Sequence, residues 1–287
     1  MSDQLLRFAF ESIDVRGVIV QLDATCRDTV NNHHYAAPVK QLLGEFLAAA
    51  GLLSATLKFD GVLILQAKSA GEIPFIMAEA SSRRTLRGIA RRTEEASSHD
   101  FHTLLNDGQL VITIDPVDGA RYQGIVALQG DNLAECLESY FRQSEQLNTR
   151  LWLASNGQRA AGLLLQELPV DDRADKAGWQ RDWQHLCTLA DTIKADELIN
   201  VSPADMLHRL FHQDHYQVFA DDALKFQCSC SRPRTEAALV SLGGEELRNI
   251  IAEQGEILMH CEFCHQAYRF SAADIEALLN HAPHTNH

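Results

Sequence analysis

The alternation of apolar and polar positions divides the chain into three stretches of different character. Residues 15–22 alternate with the two-residue period of a strand, and a polar stretch with His33 and His34 leads to Pro38. Val39, Leu42, Leu43, Phe46, Leu47, Ala50 and Leu53 then recur at three- and four-residue steps, which places them on one buried face of a helix. Residues 56–59, the pair Asp60-Gly61 and residues 62–66 read as a tight hairpin, because Asp-Gly readily takes the positive backbone angles of such turns. A second antiparallel pair is expected at residues 110–114 and 122–128. In the loop between them, Asp115 and Asp118 are assigned to local backbone hydrogen bonding. Asp131 or Asn132 is placed to cap a helix whose buried stripe is Leu133, Cys136, Leu137, Tyr140 and Phe141, and strands at 150–154 and 161–168 follow. Hairpins with a few packed helices predict an α+β core of antiparallel strands over residues 1–168.

At Pro169 the pattern changes. Residues 169–222 carry eleven acidic side chains against five basic ones, and like charge loosens a compact state. Two helical stripes nevertheless stand out. Trp179, Trp183, Leu186, Cys187, Ala190 and Ile193 form the first; Met206, Leu207, Leu210 and Phe211 form the second, behind a Ser202 cap and Pro203 at the first turn. Such helices depend on docking their apolar faces, so residues 169–225 read as an acidic helical linker of moderate stability. His208, His212 and His215 read as a solvated helix edge and not as metal ligands.

The third stretch, residues 226–287, reads as a small zinc-binding domain. It begins at Cys228-Ser229-Cys230, and after thirty residues comes Cys261-Glu262-Phe263-Cys264. Two short cysteine pairs on separate segments are the usual source of four tetrahedral thiolates for zinc. His260 and His265 flank the second pair, but four cysteines already close the coordination shell, so both histidines read as neighbours. Between the pairs a helix is expected around 235–242, cut by Gly243-Gly244, and another over 245–254 ending at Gly255. Strands at 257–260 and 266–270 flank the Cys261–Cys264 knuckle; Ser271 caps a last helix with Asp274 in a capping box, and residues 283–287 are expected to be disordered. Cys228 and Cys230 are unusually close in sequence. In an extended chain their Cα atoms lie ~6.7 Å apart, near the limit a disulfide accepts, so a bond between them needs a bend and is labile. The pattern therefore reads both as a structural clip and as a reversible oxidation site.

Charge narrows the function. A net charge of −14 argues against nucleic acid as partner, and residues 226–287 are acidic too, with four arginines against eight carboxylates. No apolar run is long enough to cross a bilayer, no signal peptide is apparent, and seven cysteines are an odd number; together these predict a cytoplasmic protein. Cys26, Cys136 and Cys187 read as buried small side chains. There is no phosphate-binding loop, dinucleotide fingerprint, zinc-protease histidine pair or nucleophile elbow, so no enzyme is expected.

The cysteine arrangement, with the acidic helical stretch before it, resembles the bacterial redox-regulated heat-shock chaperone family, the thirty-three-kilodalton heat-shock proteins. The resemblance extends through Pro38-Val39-Lys40, Ala55-Thr56-Leu57-Lys58-Phe59-Asp60-Gly61, Arg87-Gly88, Arg121-Tyr122-Gln123-Gly124-Ile125-Val126, Tyr140-Phe141 and Ser144-Glu145-Gln146. Asn148 departs from it where proline is expected, and His265 departs where a small turn residue suits a zinc knuckle. The resemblance implies an ATP-independent holdase, inactive with one zinc ion on Cys228, Cys230, Cys261 and Cys264 and active once oxidised. It implies disulfides Cys228–Cys230 and Cys261–Cys264, dimerisation on activation, unfolded or oxidatively damaged clients, and transfer of clients to ATP-driven foldases. The client-gripping surface expected to open is the stripe Trp179, Trp183, Leu186, Ile193, Met206, Leu207, Leu210 and Phe211. Two other readings stand beside it: a constitutive zinc-stapled adaptor, and a thiol-disulfide oxidoreductase, the latter weakened because its cysteine pair would start a helix after a strand.

Overall fold

The computed structural model describes residues 3–57, 60–94, 96–169 and 176–281. Residues 58–59 of the expected hairpin, 170–175 of the acidic stretch and the tail at 283–287 lie outside them. The elements run β1 (Gln4–Phe10), β2 (Val15–Leu22), α1 (Ala24–Val30), α2 (Ala37–Thr56), β3 (Gly61–Lys68), β4 (Phe75–Ser81), β5 (Thr85–Arg91) and α3 (Phe101–Leu104). They continue with β6 (Gln109–Pro116), β7 (Tyr122–Ala127), α4 (Leu133–Tyr140), a π-helical turn (Phe141–Glu145), β8 (Thr149–Ser155) and β9 (Ala160–Glu167). The acidic stretch contributes α5 (Lys176–Ala190), α6 (Ala195–Asn200), α7 (Pro203–Phe211), β10 (Tyr216–Val218), β11 (Asp222–Ala223) and β12 (Lys225–Phe226). The last elements are α8 (Arg232–Val240), α9 (Gly244–Gln254), β13 (Glu256–His260), β14 (Ala267–Ser271) and α10 (Ala272–His281). The chain divides into two units, Met1–Gln227 and Cys228–His287.

The first unit holds two sheets. The first has the order β10-β1-β2-β9-β8, with β11 also on β1; the second has the order β12-β5-β4-β3-β6-β7. All these pairings are antiparallel except β12 with β5. Helix α2 packs on strands of both sheets and buries nearly every side, including Ala48, Ala49, Gly51 and Leu52 beyond the one face that the periodicity predicts. A helix enclosed by two sheets needs an apolar surface all round. Gly44 marks the closest approach: a Cβ there would stand 2.2 Å from Ser155 Oγ.

The α+β class of the sequence reading is the observed one. The hairpin expected at 56–66 is not present. Helix α2 runs on through Thr56, and β3 pairs instead with β4 and β6, Val62 lying opposite Ser81 and Asp115. Asp60-Gly61 is a helix-to-strand joint, where Gly61 at φ 153° passes so close to Asp115 that a Cβ would lie 2.2 Å from its carbonyl oxygen. Strands β6 and β7 fall where expected, and Asn132 is the helix cap, accepting from the Glu135 N–H. Asp115 takes both arms of Arg121 at 2.9 Å, a side-chain ion pair in place of the expected backbone turn bonds.

The first sheet is buried on both faces. Leu5, Val18, Val20 and Leu164 face the α2 side, whereas Phe8, Phe10, Ile19, Leu163 and Leu165 join a second cluster with Leu186, Met206, Leu207 and Phe211. Helices α5 to α7 thus cover the outer face of this sheet. Trp183, Ile193 and Leu210 pack partly buried on the same cluster, and Trp179 stacks on Trp183 with ring centroids 6.5 Å apart. Phe211 sits edge-on to Phe10 at 5.2 Å.

The second unit is small. Its core is Leu239, Leu247, Ile257, Phe270 and Ile275. Gly255 ends α9 at φ 80°, and the Ser271–Asp274 capping box starts α10, with Ser271 N donating at 2.8 Å and Asp274 N returning the bond at 3.3 Å.

Candidate metal centre

The knuckle Cys261–Cys264 is the turn joining β13 to β14. Cys261 N donates to Gln266 O at 3.0 Å and His265 N donates to Cys261 O at 2.8 Å, which closes a tight loop. His265 completes it in the left-handed region at φ 54°, the position where a small turn residue is expected. Within the loop the N–H groups of Phe263 and Cys264 point at the Cys261 sulfur and that of Gln266 at the Cys264 sulfur. Backbone N–H donors of this kind favour the thiolate over the thiol.

The first pair enters from the segment before α8. Ser231 caps that helix, accepting from the Arg234 N–H, and Pro233 occupies its first turn, so the chain turns from extended to helical directly after Cys230. Arg234 reaches back to Ser229, donating to its carbonyl at 3.0 Å and its hydroxyl at 2.7 Å. That grip fixes the residue between Cys228 and Cys230. Cys228 Sγ and Cys261 Sγ lie 3.5 Å apart, Cys230 Sγ and Cys264 Sγ 3.4 Å apart, and all four sulfurs fall within 4.8 Å of one another. Tetrahedral sulfur at the usual zinc distance has edges of ~3.8 Å, so the donor set and spacing fit zinc. Among the described residues this is the one group of three or more histidine, cysteine or acidic side chains that meets the convergence needed for a metal.

As free thiols the cluster is electrostatically unfavourable for charge. Burial first, and then hydrogen bonds shared with the neighbouring thiols, push the Cys264 thiol well above its ordinary range; burial likewise raises Cys261. A coordinated dication inverts this, because a metal-bound thiol is deprotonated outright. Tyr268 donates to Cys230 Sγ at 3.2 Å, and that bond leads the causes that push its own hydroxyl up to about 12. All four cysteines of the cluster keep partial solvent exposure, which gives oxidants access. The three scattered cysteines differ. Cys26, Cys136 and Cys187 are buried, and burial pushes Cys26 and Cys187 up to about 12, so they are inert small apolar side chains as expected.

His260 and His265 stand outside the group, as do His208 and His212, whose rings lie 5.9 Å apart on α7. The sequence reading did not single out Arg234 or Tyr268. Tyr268 was legible in principle, since it stands two residues before Phe270 on β14 and so shares the inward face of that strand next to the knuckle. Arg232 was less so: its guanidinium lies 4.3 Å over the Phe270 ring and it donates to Arg269 O at 2.9 Å.

The fold and the centre together define a class, an α+β body followed by a small four-cysteine metal module. The profile of the family described as Hsp33 protein matches residues 3–271. The chain is 50% identical over 281 residues to the 33 kDa chaperonin of Pseudomonas aeruginosa, covering 97% of this chain and 95% of that protein. It is 49% identical over 282 residues to the 33 kDa chaperonin of Ectopseudomonas mendocina, covering 97% and 96%. The crystal structure of the 33 kDa chaperonin from Thermotoga maritima superposes with a TM-score of 0.82 over 97% of this chain and 98% of that one, at 22% identity, a likeness of fold. The chain belongs to the Hsp33 family. The family is one of chaperones and not of enzymes, and membership together with the four-cysteine cluster supports a redox-regulated chaperone function. No helix among the described residues is long and apolar enough to cross a membrane.

Proposed function

We propose that the chain is an ATP-independent holdase of the cytoplasm, shut while reduced and zinc-bound and opened by oxidation. The observation that carries this reading is the convergence of four thiols within 4.8 Å in a unit whose core is five side chains. Zinc on Cys228, Cys230, Cys261 and Cys264 supplies a closed tetrahedral shell, holds the sulfurs as thiolates, and contributes folding free energy of ~10–16 kcal/mol. A segment of this size has too little apolar core to stay ordered without it.

Oxidation proceeds on the sulfurs themselves. A thiolate attacks peroxide to give a sulfenic acid with loss of hydroxide, and its neighbour displaces a second hydroxide. Two thiolates, one hydrogen peroxide and two protons thereby give one disulfide and two waters. The pairs are Cys228 with Cys230 and Cys261 with Cys264, the pairing implied by the family resemblance. No thiolate then remains to hold the metal. Residues 169–225 act as the responsive segment: loss of order beginning at Cys228 passes back through β12 and β10 into α5 to α7. Trp183, Leu186, Ile193, Met206, Leu207, Leu210 and Phe211, packed or partly packed on the first sheet in the shut state, and Trp179, stacked on Trp183, then face clients. Acidic neighbours keep such a surface soluble. The active form dimerises and passes clients to ATP-driven foldases.

The test is zinc content and free-thiol count before and after peroxide with mild heat, read against aggregation of an unrelated unfolding protein. Zinc release, loss of four thiols and suppressed aggregation should appear together. Equal suppression by the reduced, zinc-loaded chain overturns the proposal. An adaptor would instead lose binding when its metal is stripped, and an oxidoreductase would turn over a disulfide substrate.

A further inference from the structure

Beyond the C-terminal end of α2, strands of the two sheets and the π-helical turn enclose a cavity of about 430 Å³. Every residue lining it belongs to the first unit. Leu53 and Leu63, Ile112 and Ile114, and Phe141 make its apolar wall. The turn at its rim is a π-helix closed by Gln146 in the left-handed region at φ 56°, a conformation concentrated at functional sites.

The one cation and the one acid lining this cavity are not paired with each other. Arg16 of β2 donates from Nε at 3.1 Å and Nη2 at 2.5 Å, both to Gln166 Oε1, a neutral amide. Gln166 is buried and its own Nε2 is spent on Thr149 Oγ1 at 2.9 Å. Arg16 Nη1 makes no hydrogen bond within the described chain, and no carboxylate among the described residues comes within ion-pair distance of the guanidinium. Burial accordingly pulls Arg16 below its ordinary pKa. Glu145 is the one acid among the lining residues, and it is engaged elsewhere: Tyr140 donates to it at 2.7 Å and Tyr122 at 3.1 Å, the two hydroxyls lying 3.0 Å apart. A partly buried cation without a counterion is costly, and in a chain of net charge −14 a neutralising acid was readily at hand in sequence terms.

We propose that the cavity binds a small amphiphilic carboxylate, a medium-chain fatty-acid anion, with its carboxylate on Arg16 and its hydrocarbon chain along Leu53, Leu63, Ile112, Ile114 and Phe141. One guanidinium offers a forked donor set and one unit of charge, which matches a monocarboxylate better than a phosphate dianion. The apolar wall favours a ligand with a long hydrophobic body over a free inorganic anion. A peptide would bring backbone N–H groups for which the wall has few acceptors. The inference is independent of the holdase reading, because it concerns none of the same residues.

Isothermal titration calorimetry on the full-length, reduced, zinc-loaded chain tests it with three probes: octanoate, 1-octanol and acetate. Octanoate should bind saturably at one site per chain, and 1-octanol and acetate each at least about tenfold more weakly, since each lacks one half of the recognition. Arg16→Gln should weaken octanoate about tenfold while Arg16→Lys keeps part of the affinity. Circular dichroism confirms that each variant is folded. Should Arg16→Gln fail to fold, Leu57→Trp at the half-exposed rim serves instead, and should block octanoate by filling the mouth. No saturable heat with octanoate, equal binding of 1-octanol, or undiminished binding by the folded variant overturns the proposal.

Discussion

The two units of this chain are held together by different physics. In the first, α2 lies enclosed between two sheets and a further apolar cluster joins α5 to α7 to the outer face of the first sheet, so burial alone accounts for order. In the second, five buried side chains support three helices and a two-stranded hairpin beside four converging sulfurs that could hold a metal ion. The lesson is where control can be placed. A large core responds to a chemical signal only by losing many contacts at once, whereas a unit that leans on a metal held by four sulfurs, as proposed, would respond to the oxidation state of those sulfurs.

Removing the metal should separate the units most sharply. Chelation of the reduced chain is expected to abolish hydrogen-exchange protection over residues 228–281 while α2, β2 and β3 keep theirs; retained protection in β13 and β14 would show that the small core suffices. The next largest effect compares two buried rings. Phe211→Ala and Phe270→Ala should each cost about 3–5 kcal/mol locally. In the second unit that loss should show as weaker zinc retention against a competing chelator. In the first it should loosen α7 and give partial holdase activity without oxidant, and a fully inactive reduced Phe211→Ala would count against the stripe as the client surface.

A smaller effect lies in the first unit. Burial pushes the Glu45 carboxyl from 4.5 up to about 7. A group raised in the folded state contributes stability below its unfolded pKa and loses it as pH rises through the folded one, so this contribution should fade between pH 4.5 and about 7. The side chain keeps some solvent contact, which limits the effect to the order of 1 kcal/mol. Glu45→Gln should flatten the thermal midpoint across that window, and an unchanged slope would remove Glu45 as its cause. The smallest expected change is His265→Gly. Relief of a left-handed residue at φ 54° should stabilise the knuckle by at most about 1 kcal/mol, read as slower zinc loss to a chelator.

Much of the small unit was legible because its signals are local. Gly255, the Ser271–Asp274 box and the cysteine spacings each fix a turn or cap within a few residues. The first unit was less so. Strands β4 and β5 are joined through Arg84 at φ 61°, a turn without the glycine or asparagine that advertises one. The Asp60-Gly61 signal was real but served a helix-to-strand joint, since the pairing of β3 is decided by strands far along the chain. Strands β10, β11 and β12 are two or three residues long, too short to show a period at all. At the centre, the four cysteines that converge were evident from spacing, whereas Arg234 and Tyr268 act through distances that only the fold sets.

Strands β10 and β11 both lie along the outer side of β1, Val218 opposite Phe8 and Ala223 opposite Gln4. This returning chain is a seal on an otherwise open sheet margin. Were residues 216–223 to depart, as the proposed opening requires, a row of main-chain amides and carbonyls from Gln4 to Phe10 would lose its partners and become a template for any extended polypeptide. Unfolding proteins are rich in such segments, so the same departure that would bare the side chains of α7 would also offer a sequence-blind backbone ladder beside them.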